Sequence, residues 1–73
     1  MNSRKPKEII FVIEESDEGG YEAKALSYRI YTEADDIKSL KENIKEAIEC
    51  HFEKEDLPEM IHLHYVREET MSL

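Results

Sequence analysis

The sequence predicts an α+β fold of β-β-β-α-β order: a four-stranded mixed sheet with one helix on one face. Three observations lead there. Short β-branched runs alternate with turn residues through the first half of the chain. One strong helical apolar period occupies the middle, from Ile37 to Phe52. A last alternating run then follows Leu57-Pro58. At 73 residues the chain makes one domain, near the size at which a single core barely suffices.

Residues 1–7 are basic, contain Pro6, and are expected to form a flexible tail. The domain proper is expected over residues 8–67, with 68–73 as a second flexible tail. The run Glu8 to Glu14 is too short for a helix and rich in strand formers. Ile9, Phe11 and Ile13 fall on one face, Ile10 and Val12 on the other. A strand apolar on both faces belongs in the centre of a sheet. Glu15 to Gly20 is a turn whose Gly-Gly pair supplies positive φ at little cost. Strand two runs from Tyr21 to Leu26, with Tyr21, Ala23 and Ala25 facing one way and Glu22 and Lys24 the other. After a bend at Ser27 to Arg29, a short third strand is expected at Arg29 to Thr32.

Ile37, Leu40, Ile44, Ala47, Ile48 and His51 form the helix stripe, extended by Phe52. Asp36 is the expected N-cap. Lys38 with Glu42, and Lys45 with Glu49, are i,i+4 pairs on the outer face. The last strand is Ile61 to Arg67, with Ile61, Leu63 and Tyr65 on one face and His62, His64 and Val66 on the other. A right-handed crossover lays this strand parallel to strand one and gives the sheet order 3-2-1-4.

The net charge is −8. Such a surface repels phosphate, so direct nucleic-acid binding is disfavoured, while a basic protein partner suits it. The single cysteine, Cys50, permits no intramolecular disulfide, and no apolar run reaches the length of a signal core or a membrane span. The expectation is a cytoplasmic protein without membrane attachment.

The run Phe11 to Ala23, an apolar strand, acidic turn and Gly19-Gly20-Tyr21, resembles the opening of HicB-like antitoxin domains. Tyr31 to Ile37 resembles their strand-to-helix junction, and Glu42 to Ile48 their helix motif. The resemblance spans roughly residues 9 to 66. It implies a partial ribonuclease-H-like fold of the same element order. It also implies a role in toxin–antitoxin systems, neutralising a small basic RNA-cleaving toxin. The chain departs from the pattern at Ala34, where a glycine is usual, and at Ser39, where a glutamate would complete a capping box. It is expected to be a stand-alone member, with no DNA-binding segment after Arg67.

Catalysis on a ribonuclease-H-like frame needs carboxylates converging on two metal ions. Glu14, Glu15, Asp17 and Glu18 cluster at one strand end and the turn rather than at a cleft between elements, which reads as a solvated acidic turn, so no enzyme activity and no cofactor are expected. His62 and His64 share a strand face and are the candidate metal ligands, but no third donor is evident, so no metal site is expected. At an interface they would make association pH-sensitive. Cys50 and His51 diverge by about 100° on a helix, so they make no catalytic pair, and Cys50 reads as a half-buried thiol. One helix covers one sheet face. Ile10, Val12, His62, His64 and Val66 on the other are therefore the expected interface of a homodimer or higher oligomer. The leading function is a non-catalytic protein–protein interaction domain with a basic toxin-like partner. The alternative is a small homo-oligomeric structural or ligand-binding domain without a toxin.

Overall fold

β1 (Glu8–Glu15) is the spine of the sheet, antiparallel to β2 (Tyr21–Ala25) on one side and parallel to β4 (Met60–Tyr65) on the other. β3 (Tyr31–Ala34) pairs antiparallel with β2 at the far edge, so the order is β3-β2-β1-β4, as the sequence predicts. The helix α1 (Ile37–His51) lies on one face, and a 3₁₀ turn (Lys54–Asp56) links it to β4. These elements come from a computed structural model that describes residues 8–73. The expected tail at residues 1–7 lies outside the described residues.

Alternation along β1 sorts its side chains. Ile9, Phe11 and Ile13 are buried under the helix, whereas Ile10 and Val12 are only half covered on the opposite face. Ala23, opposite Ile13, is fully buried because its small side chain lets the helix approach. Leu40, Ile44 and Ile48 close the core from above. Each large aliphatic buried this way contributes roughly 1.5–3 kcal/mol. Asp36 caps the helix by accepting from the Ser39 N–H at 2.7 Å. The turn before β2 is closed by Ser16 and Gly20, with φ of 96° at Gly19 and 83° at Gly20. Among the described residues no non-glycine has positive φ, so Ala34 adopts its place without strain.

Several expectations are corrected. β3 begins two residues later than predicted, at Tyr31 rather than Arg29, because Ile30 is taken into the core and its carbonyl accepts from the Ala25 N–H. β4 begins at Met60 and ends at Tyr65. Cys50 is exposed rather than half buried, and His51 is exposed too, stacked edge-on against Tyr28 and Phe52. Neither i,i+4 pair on α1 closes; among the described residues the one ion-pair contact joins His62 to Glu8. The largest correction concerns the helix, which runs over β2 and β3 and leaves β4 largely uncovered. Tyr65, expected beneath it, is 53% exposed.

Candidate functional site

The face of the sheet away from α1 carries no second layer among the described residues. Pairing arranges its side chains in rows across the strands. Ile10 stands beside His62, with Leu26 reaching back to the Ile10 carbonyl from the β2 side. Val12 stands between His64 and Lys24, and Lys24 opposes Tyr31. Leu26 and Tyr31 are exposed, and Ile10 and Val12 half-buried. The result is an apolar patch, interrupted by the exposed Lys24 between Val12 and Tyr31, on a sheet face that meets solvent.

The next row is different in kind. Glu14 opposes Glu22, and Glu22 opposes Glu33, so three carboxylates lie side by side across β1, β2 and β3. Like charges in directly opposed positions are destabilising. Tyr31 donates its hydroxyl to Glu33 Oε1 at 3.3 Å. Desolvation first, then the charges of Glu22 and Glu33, hold that phenol above the ordinary tyrosine range.

The expected interface residues therefore meet only in part. Ile10, Val12, His62 and His64 share one patch. Val66, half exposed, sits just beyond β4, where its N–H donates to the Ile13 carbonyl at 2.8 Å. His62 Nε2 lies 2.9 Å from Glu8 Oε1, a contact the sequence reading missed; the parallel β1–β4 register, which sets Glu8 beside Met60 and Ile10 beside His62, produces it. The glutamate row was missed as well. Its middle member is legible from the first hairpin, but Glu33 joins it because β3 runs to Ala34, past the expected end at Thr32.

On the helix side, the uncovered strand opens two hollows. One, of about 180 Å³, is lined by Ile44, Ile61 and Leu63 with Lys41 and Lys45 at its rim. Another, of about 280 Å³, lies among Ile13, Tyr21, Ile37 and Tyr65. Glu14 and Glu15 at the end of β1 and Asp17 in the turn border a wide hollow of about 430 Å³, with Val66, Glu68 and Thr70 as its other wall, while Glu18 lines a separate one. Among the described residues of one chain, no three His, Cys, Asp or Glu are placed to share a metal ion. No described helix is long and apolar enough to cross a membrane.

The chain is similar to a UPF0150 protein of Archaeoglobus fulgidus, with 50% identity over 46 residues, 63% of this chain and 68% of the relative. It is also similar to a UPF0150 protein of Thermotoga maritima, with 46% identity over 48 residues, 66% of this chain and 69% of the relative. No family model matches the chain, and no solved structure does.

Proposed function

The chain belongs to the UPF0150 family, and from that premise we propose that it is a HicB-like, non-catalytic interaction domain that holds a small basic protein on the bare face of its sheet. The row Glu14–Glu22–Glu33 carries this reading. Three opposed carboxylates cost the free domain stability. A lysine or arginine cluster brought by a partner relieves that cost and gains charge-assisted hydrogen bonds in return. The neighbouring Ile10, Val12, Leu26 and Tyr31 supply apolar contact around the single cation Lys24, and the glutamate row borders them on one side. Such complementarity also speeds encounter. The resemblance of residues 9–66 to HicB-like antitoxins supports a toxin-like, RNA-cleaving partner, and a cytoplasmic setting goes with it.

The test is a triple variant, Glu14→Gln, Glu22→Gln and Glu33→Gln, set against wild type. A basic partner is recovered with the tagged wild-type protein from its own cell, purified, and titrated against both forms. The variant should be the more stable in thermal melts yet bind at least ~10-fold more weakly, with the wild-type affinity falling as salt rises. Equal affinity of the two forms for the partner sinks the reading. Ribonuclease assays of the partner, with and without this chain, test the antitoxin role separately.

A second reading, self-association, is favoured by a different observation. Large apolar side chains left in water concentrate on one strand: Met60 at 57%, Ile61 at 38%, Tyr65 at 53%, and Val66 just after it at 50%. A homodimer or higher oligomer that covers them gains burial that one small core lacks.

A further inference from the structure

We propose that two copies of this chain pair β4 against β4 about a two-fold axis at Leu63, and that the pair builds a four-histidine site for a divalent metal ion of the zinc class. The inference rests on the self-association reading. It fixes the geometry of that association and assigns it a ligand.

The backbone sets the edge. Val66 N–H donates to the Ile13 carbonyl, so the even-numbered residues of β4 turn their N–H and C=O toward β1. Ile61, Leu63 and Tyr65 therefore turn theirs outward, to an edge that no described strand covers. Sheets ordinarily guard such an edge with charge, proline or brevity. β3, at the other edge, is only four residues long and carries Glu33. β4 has no such guard: from Met60 to Val66 there is no Asp, Glu, Lys, Arg or Pro, in a chain that is 38% charged.

Antiparallel pairing of two such edges must match outward-turned residues with outward-turned residues. Centred on Leu63, it sets Leu63 against its own copy and Ile61 against the partner's Tyr65. The charges that bound the run, Glu59 just before β4 and Arg67 just after it, then approach charges of opposite sign at both ends. A register one step toward the C-terminus sets Glu59 against the partner's Glu69, and one step toward the N-terminus leaves both charges without an opposite. Charge complementarity thus selects the occupant, a second copy, and the register together.

That register has a chemical consequence on the opposite face. His62 falls opposite the partner's His64, and His64 opposite the partner's His62, in non-hydrogen-bonded positions where Cβ atoms stand about 4.5–5.5 Å apart. Two residues along a strand add a spacing of about 6.6 Å. Four imidazoles therefore surround the two-fold axis at a span suited to one ion with nitrogen bonds of about 2.0–2.1 Å. A single chain offers two of these donors, and the partner completes the set. Glu8 already holds His62 Nε2 at 2.9 Å, leaving Nδ1 for the ion; a carboxylate on the distal nitrogen is the usual way a ligating histidine is oriented.

The experiment uses the untagged full chain, with light scattering and equilibrium dialysis in zinc chloride and in EDTA. Zinc should tighten dimerisation at least tenfold and bind at one ion per two chains. His64→Ala should abolish the zinc response while leaving the circular dichroism unchanged, and Glu8→Gln should lower zinc affinity by about 10–100-fold. Glu59→Arg and Arg67→Glu should each weaken the dimer, and the double swap should restore it. A dimer equally tight in zinc and EDTA overturns the site but leaves self-association standing. A monomer under both conditions overturns both. A dimer indifferent to the single charge swaps overturns the β4 register.

Discussion

Asn43 Nδ2 donates to the backbone carbonyl of Glu33 at 3.0 Å, tying the middle of α1 to β3. That bond anchors the helix toward the β3 edge of the sheet, away from β4, which stays largely uncovered at the other edge. Replacing Asn43 with Ala removes the tie and leaves the carbonyl to find water. The expected cost is about 0.5–1.5 kcal/mol, read from urea denaturation. An unchanged midpoint would show that packing alone seats the helix.

Gly19 and Gly20 both have positive φ, but their surroundings differ. A Cβ on Gly19 would meet nothing within 4 Å, whereas one on Gly20 would sit 2.7 Å from the Ala34 carbonyl oxygen. Gly19→Ala should therefore carry conformational strain alone, on the order of 1 kcal/mol. Gly20→Ala adds a backbone clash and should cost clearly more. Thermal melts of the two variants decide it, and equal costs would count against the close approach of the turn to the end of β3.

The Asp36 carboxylate is held below its ordinary value of 3.8, chiefly by the backbone hydrogen bond from Ser39. A carboxylate depressed in the folded state stabilises fully above its unfolded value. That contribution is lost as pH falls through the folded value. Asp36→Asn keeps a capping oxygen but cannot titrate. The gap in melting temperature between wild type and Asp36→Asn should therefore narrow or change sign on acidification from about pH 5 to pH 2. Asp36→Ala, which loses the cap, should melt lower than both at neutral pH.

We expect no cleavage of RNA or DNA in magnesium or manganese. Glu14 and Glu15 at the end of β1 and Asp17 in the turn border an open hollow whose far wall is the irregular chain after β4. Metal-dependent cleavage that disappears in Glu14→Ala or Asp17→Ala would sink the non-catalytic assignment.

The sheet order was legible because β1 is apolar at both alternate sets, which only a central strand tolerates, and because Pro58 separates the helix from the last strand. Residues whose environment depends on tertiary position were not. Ile30 reads equally well as strand or core plug, and its burial moved β3 by two residues. Tyr65 alternates correctly with Leu63, yet no local pattern says how far the helix lies across the sheet. That His62, His64 and Val12 share the face away from the helix was legible from alternation alone. The glutamate row needed two strand registers at once, and the expected third strand stopped at Thr32, one residue short of Glu33.

The parallel pairing of β1 with β4 also sets an order of assembly. The two hairpins and α1 bring together residues close in sequence, whereas Ile9 meets Ile61 only after nearly the whole chain has emerged. Local closures come early and long-range strand pairing late. Until β4 arrives, β1 has one open edge at the centre of the finished sheet. In the native state the same asymmetry should appear as amide exchange: protons of β4 exchange through a partial opening that spares the β1–β2 ladder.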